Sequence, residues 1–275
     1  MVPAGGGPRP SLSRLNIGDA IHDGWTAFCR APASFVLLAL LLTVLQVLLQ
    51  PLQEGVVRGA RNHTIAAGDW LLFLVGLSLS LLVSCWGNVG MVRGAWRALE
   101  GERPTLASLL RWDGPGFRRV FEAWMGLGLL LSVPLLLLLL LVLGALLVVW
   151  LLERSGLTLS DGSLALPALL LGLLALVVLG ATLLAMLYFG VNQQFLAQVA
   201  LLEQQGGMET VQRGRRLCDP HWPLLALLAL IKGLLLVMGV ITFGVGLLVA
   251  WPVASVITTA AYRQLVREPR RVSEG

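Results

Sequence analysis

The stretch LLVSCWGNVGMVRGAWRAL, Leu81–Leu99, begins as lipid-soluble sequence and ends among arginines, and nearly the same pattern returns at Leu247–Leu265 as LLVAWPVASVITTAAYRQL. The two align without a gap: Leu-Leu-Val, a small residue, an apolar run rich in small residues, then Gly/Ala-Ala-aromatic-Arg-x-Leu. Each reads as the end of a membrane span running out into a water-facing segment. The recurrence implies that the chain is built from a repeated unit, and it is a statement about construction, with no chemistry attached.

Of the 275 residues, 57% are apolar and 13% charged. That balance belongs to a polytopic membrane protein and excludes an ordinary soluble domain. Blocks such as LLLLLLLVLGALLVVWLL, Leu135–Leu152, are long enough to fill a hydrocarbon core about 30 Å thick, where backbone groups must bond to one another, so helices are dictated. A transmembrane β-barrel would show short alternating segments instead. The fold class expected is an all-α polytopic membrane protein with six transmembrane helices arranged as three hairpins. The spans fall at about 33–52, 70–92, 123–152, 164–191, 223–240 and 243–262. Residues 224–262 are almost continuously apolar, but one helix of that length would run to roughly 58 Å, far beyond a bilayer's need. The Gly-rich segment Met238–Gly246 is therefore assigned to a turn.

In domain terms, residues 1–14 form a Gly/Pro-rich tail expected to be disordered, 15–267 a single membrane domain, and 268–275 a C-terminal tail. The opening residues lack the short apolar core and cleavage site of a signal peptide, so the first span is read as an uncleaved anchor. The net charge of +5 does not indicate nucleic acid: nineteen of the twenty basic residues are Arg, spread over the ends of apolar runs instead of gathered in a tract. They are topology signals. With six spans, sixteen arginines fall on one side and only Arg58, Arg61 and Arg154 on the other. The positive-inside rule then places both termini in the cytoplasm of a bacterial inner membrane. Cys29, Cys85 and Cys218 have no CxxC spacing, and support neither a disulfide framework nor a zinc site.

Each pair of spans is preceded by a stretch that reads as an amphipathic interfacial helix. In IGDAIHDGWTAFCR, Ile17, Ile21, Trp25 and Phe28 share one face opposite Asp19, His22 and Asp23, and such a helix is expected to lie flat at the headgroups. METVQRGRRLCD repeats the arrangement with Met208, Val211, Leu217 and Cys218; the middle copy is Thr105–Trp112, followed by a turn at Asp113–Gly116. The chain thus reads as three parallel copies of an interfacial helix plus a hairpin.

Two stripes of small residues run through the repeat. Gly76, Ser80, Ser84 and Asn88 recur every four residues in the second span, with Gly90 and Gly94 overlapping its end, and Gly246, Ala250, Ala254 and Thr258 do the same in the sixth. Small residues at this spacing let helix backbones approach, so packing is preferred over the lining of a polar path. Lys232, the only lysine, falls mid-span. Ionisable residues there mark functional sites by default, while a snorkelling stem is the bland alternative. Candidate neutral partners are Gln46, Gln50 and Asn88, and with no carboxylate mid-span a proton relay lacks its acidic half. His22, His63 and His221 have no metal-ligand spacing, and Asn192-Gln193-Gln194 reads as a solvated helix extension in preference to the alternative, a ligand contact. Pro134 and Pro252 are expected to kink their spans. No Walker loop, nucleophile elbow or HExxH is present, and no cofactor or metal is implied.

The segments GMVRGAWRALEGERPTLASLLRW, GMETVQRGRRLCDPHWPLLALLAL and GVGLLVAWPVASVITTAAYRQL resemble a broad group of bacterial six-span membrane proteins that includes the membrane domain of some glycerophosphoryl diester phosphodiesterases. The resemblance implies a helical membrane module without catalytic residues of its own, since the chain has no room for the soluble phosphodiesterase domain. The function expected is a non-enzymatic membrane protein that organises or assists membrane lipids, other membrane proteins or its own self-association. The alternative is a small transporter or permease component using Lys232 in a membrane-embedded site. Ser80→Leu or Ala254→Leu separates the two: loss of assembly in these variants with Lys232→Leu tolerated fits the first, and loss of function in the lysine variant alone fits the second.

Overall fold

The computed structural model describes residues 15–62, 66–154, 162–242 and 244–266; the expected tails 1–14 and 268–275, His63 and Arg267 lie outside the described residues. Among the described residues every regular element is helical: α1 (Ile17–Arg30), α2 (Pro32–Asn62), α3 (Ala67–Leu99), α4 (Leu106–Leu110), α5 (Gly114–Arg154), α6 (Gly162–Asn192), α7 (Leu196–Leu202), α8 (Gly207–Cys218), α9 (Trp222–Ile241) and α10 (Leu247–Val266), with a 3₁₀ turn at Asp219–His221.

Local chemistry sets the starts. The Asn16 side chain accepts from the Asp19 N–H at 3.3 Å to cap α1, and Pro32 occupies the first position of α2, where its missing N–H costs nothing. Thr105 caps α4 through Ser108 N. The expected turn at Asp113–Gly116 is instead the cap and first turn of α5: Asp113 Oδ1 accepts from Gly116 N at 3.1 Å, and the helix starts nine residues before the apolar run. Hydropathy marks where lipid begins, whereas the helix begins at its cap. Between α9 and α10, Gly244 stands at φ +77°, a left-handed conformation that glycine enters without steric cost. Helices α5 and α10 continue through Pro134 and Pro252.

The surface is inverted relative to a water-soluble protein. Leu129, Leu169 and Leu184 are each 68% exposed, and the leucines of α5 and α6 face outward along most of their length. At roughly 25 cal/mol per Å² of apolar surface, such an exterior is stable in lipid and not in water. Five segments are long and apolar enough to cross a membrane: Pro32–Gly59, Ala67–Leu99, Gly114–Val148, Gly172–Leu202 and Gly207–Ile241.

The expected sixth span, α10, is outside that set because Trp251, Pro252, Ser255, Thr258, Thr259 and Arg263 dilute its apolar character. Residues 250–262 of α10 form the buried post of the bundle. Val256, Thr259, Ala261 and Tyr262 are sealed from solvent, and α1, α2, α3 and α9 all pack on it. Among them, α2 also packs along α3, and α5 along α6.

The three helices expected at the interface, α1, α4 and α8, each make a close contact at a glycine. Leu109 of α4 sits against Gly90 and Gly94 of α3, Gly214 of α8 against Asn192 and Gln193 at the end of α6, and Gly24 of α1 against Ile257 of α10. Beyond these glycine contacts, α4 also packs on α2, α8 packs chiefly on α5, and α1 packs chiefly on α10. Helix α1 thereby closes the two ends of the described chain on each other, and Asn16 N donates to Gln264 Oε1 at 3.1 Å across the closure. Residues of the expected apolar faces take part in this packing: Ile17, Ile21 and Phe28 of α1 and Val211, Leu217 and Cys218 of α8 lie in or against the core clusters. On α1 the buried residues are Ala20, Gly24, Ala27 and Phe28, with Trp25 52% exposed, and on α8 they are Thr210, Val211, Gly214 and Cys218, with Met208 exposed. Close helix packing selects small residues, so Ala20, Gly24 and Ala27 join Phe28 at the docked face of α1 with Ile17 and Ile21 against the core, while Trp25 stays exposed.

A Cβ at Gly24 would lie 2.8 Å from the Ile257 Cα, backbone that cannot step aside. Gly24→Leu is expected to destabilise the fold by about 1–3 kcal/mol, whereas Gly128→Leu, with nothing within 4 Å, leaves stability unchanged; denaturant unfolding in detergent measures both.

Candidate functional site

The polar groups of the bundle are built up from two helix contacts. Along the α2–α3 contact, Gln46 Nε2 donates to Ser80 O at 3.0 Å and to Ser84 Oγ at 2.9 Å, and Gln53 Nε2 donates to Ser80 Oγ at 2.8 Å. Gly76 stands against Leu52 and Gln53. Asn88 turns back to its own helix, donating from Nδ2 to Ser84 O at 3.1 Å. Along the α9–α10 contact, Gly246 and Ala250 meet Gly239, Ala254 is buried, and Thr258 faces Lys232.

Lys232 Nζ donates to Thr258 Oγ1 and to Gln194 Oε1, each at 2.9 Å. The Thr258 hydroxyl gives its own proton to Ala254 O at 2.7 Å, which leaves its lone pairs free to accept from the ammonium. The expected partners Gln46, Gln50 and Asn88 are therefore replaced by Gln194 and Thr258. The reason is tertiary: α9 packs on α10 and α6, bringing the end of α6 within reach of the lysine. None of the ion pairs among the described residues includes Lys232.

Gln194 belongs to a break in the bundle. Helix α6 stops at Asn192 and α7 starts at Leu196, and the expectation of a solvated extension is overturned, because Asn192 and Gln193 are buried. Their amides are spent on neighbouring elements: Asn192 Nδ2 donates to Asp219 Oδ1 at 3.2 Å, Gln193 Nε2 to Val211 O at 3.1 Å, and Gln198 Nε2 to Thr259 Oγ1 at 3.3 Å. The opposite amide atoms Asn192 Oδ1, Gln193 Oε1 and Gln198 Oε1, and the Gln194 Nε2, have no protein partner.

Two open clefts meet at Asn88 and Trp124, and the second of them adjoins this break. The first, about 470 Å³, is lined by Thr43, Gln46, Gln50, Ser84 and Asn88 along one edge, with apolar residues of α2 and α3 and with Trp124 and Trp251 opposite. The second, about 440 Å³, is lined by Asn88, Gln193 and Gln194 with Trp124, Leu127, Leu131 and Leu196. They share Asn88 and Trp124. The structure thus brings Gln46, Gln50 and Asn88 to one polar edge, which reaches Lys232 through Gln194. The sequence reading missed Gln194 as the link and Gln53 as a packing group; the signal available was the triplet of amides where the apolar run of the fourth span ends.

A second polar cluster ties the ends of the helices. Glu203 Oε2 pairs with Arg213 Nε at 2.8 Å while Oε1 accepts from the Tyr262 hydroxyl at 2.9 Å, and the Tyr262 ring packs on Phe195. Arg30 donates to Ala98 O and Arg263 to Leu99 O, so the carbonyls at the end of α3 are satisfied by side chains from α1 and α10. Among the described residues no group of three or more His, Cys, Asp or Glu is placed to hold a metal ion.

No protein-family model, curated protein or solved structure matches the chain. Its long apolar helices, outward leucines and internal polar edge define a multi-pass α-helical membrane protein.

Glu203 carries two partners in a half-buried setting. Its substitution by Ala is expected to cost about 2 kcal/mol, because Arg213 and Tyr262 are both left unpaired. Arg118→Ala breaks only the exposed pair with Glu122 and is expected to cost less than about 0.5 kcal/mol; unfolding in detergent checks the difference.

Proposed function

We propose that the protein is a non-enzymatic integral protein of the bacterial cytoplasmic membrane that holds or organises membrane lipids, with six spans and both termini in the cytoplasm. The observation that carries this reading is the pair of clefts that share Asn88 and Trp124, each lined mainly by apolar side chains together with a few amides and hydroxyls. That division matches an amphiphile, whose tail is accommodated by leucine and tryptophan and whose head needs hydrogen-bond partners. Each cleft falls within the range of about 300–1,000 Å³ typical of small-molecule sites.

The six-span topology is supported by the arginine asymmetry and by the length of α10. Its 20 residues equal those of α9, about 30 Å of helix and enough for a hydrocarbon core. A helix surrounded by other helices can carry more polar groups than one facing lipid, which fits the hydroxyls of α10. The resemblance to the six-span bacterial group agrees with this topology. A second reading, a small transporter component, draws on the interruption between α6 and α7, since broken helices beside a membrane-embedded lysine are used by transporters to bind substrates.

Native mass spectrometry of the chain extracted with surrounding lipid is expected to show a lone chain or self-assembly retaining lipid. A stoichiometric foreign protein without lipid would overturn the lipid reading in favour of a scaffold. For topology, the exposed Cys29, kept as the single cysteine after Cys85→Ala and Cys218→Ala, is expected to react with an impermeant maleimide only after permeabilisation. Labelling in intact cells would overturn the cytoplasmic placement of the N-terminus.

A further inference from the structure

Lys232 is a cation inside the bundle with neutral protein partners only. An ammonium has three N–H donors, and two are accounted for by Gln194 Oε1 and Thr258 Oγ1. The same glutamine holds a buried Nε2 with no partner and lines the second cleft. At one place the chain therefore presents a positive charge with no ion-pair partner among the described residues, an ammonium N–H beyond those two and a spare amide N–H, beside a cleft whose own unpartnered acceptor, Gln193 Oε1, is neutral. Protein interiors satisfy such groups, because leaving them unpaired is expensive. Apolar walls and Trp124 complete the cleft.

From this geometry we infer that the cleft beside the α6–α7 break is an oxyanion subsite. It takes the singly charged acid head of an amphiphile, a phosphodiester or a carboxylate, with Gln194 Nε2 donating directly and Lys232 supplying the balancing charge from behind it. A single charge is the match: one lysine neutralises a monoanion, and a doubly charged phosphate monoester would remain undercompensated. The tail follows the apolar wall past Trp124 towards Asn88, where the first cleft continues. The inference rests on the lipid-holding reading and specifies the head that reading leaves open.

The test uses the full chain in nanodiscs of phosphatidylcholine doped with phosphatidylglycerol, with the retained lipids counted by native mass spectrometry. The wild type is expected to enrich phosphatidylglycerol by about tenfold or more over its bulk share, a factor appropriate to one charge interaction. Lys232→Gln is expected to return the ratio to bulk, and Lys232→Arg to keep the enrichment. Gln194→Glu is the decisive variant: it is isosteric, gives Lys232 the missing counter-ion, and is expected to abolish the enrichment while thermal stability in detergent is held or raised. It keeps the test open even where Lys232→Gln fails to fold. Enrichment that survives Gln194→Glu overturns the subsite. Wild-type retention of both lipids in bulk proportion overturns the subsite and leaves the lipid reading intact, whereas retention of no lipid overturns both. Added inorganic phosphate distinguishes the sources. Failure to displace phosphatidylglycerol supports a lipid head, and displacement from the wild type supports an oxyanion site filled by free anions and overturns the lipid as its occupant.

Discussion

Helix α10 stands where backbone can meet backbone. Gly24 of α1 rests on the Cα of Ile257, and Gly246 lies against Gly239 of α9. In lipid the hydrophobic effect does not drive helices together, because their leucines are equally well solvated by acyl chains; packing density and interhelical hydrogen bonds must hold the bundle. Close approach at glycine and alanine supplies the first, and the arginine and glutamine contacts to neighbouring helices supply the second. The rest of the bundle depends on this post. Helices α1, α2, α3 and α9 pack on it, and its Thr258, Thr259 and Tyr262 receive the polar side chains of α9, α7 and the residue that follows α7.

The same constraint explains why polar residues survive inside so apolar a chain. Glutamines facing serines across a tight helix contact spend their N–H donors there, as Gln46 and Gln53 do, and they stabilise the contact that shields them. Where the contact opens, at the end of α6, the amides are only half used. Unpartnered amide atoms thus gather around the end of α6, and Lys232 adjoins that region through Gln194. The functional reading follows from that contrast: the groups without partners are donors and acceptors beside an apolar cleft, which suits a lipid better than a reaction.

Repetition gives the architecture its economy. The short helices α1, α4 and α8 each dock small or fitted residues on a long helix, and α1 on α10 joins the two ends of the described chain. The gapless match between Leu81–Leu99 and Leu247–Leu265 has a structural counterpart, since both segments end in docking surfaces: Gly90 and Gly94 for α4, and Ile257 for α1. Divergence between the copies is equally informative. Where α3 carries Ser84 and Asn88, α10 carries Ala250 and Ala254, so the earlier copy contributes to the cleft edge while the later one is buried.

Composition and periodicity by themselves determined the helical membrane class, the approximate positions of the long helices and the small-residue stripes, because these depend on the solvent a segment must live in and on spacing along one helix. The sequence also made Lys232 conspicuous, since a lysine in an apolar run is legible without neighbours. What only the tertiary structure decided was which elements meet. It put Gln194 and Thr258 on the lysine in place of Gln46, Gln50 and Asn88, buried an amide triplet that reads as solvated, turned the small-residue face of α1 inward, and made α10 a central post. Such choices are set by contacts between segments far apart in the chain, where the cost of an unpaired donor or a displaced backbone is settled jointly by several helices, and no single stretch of sequence carries that sum.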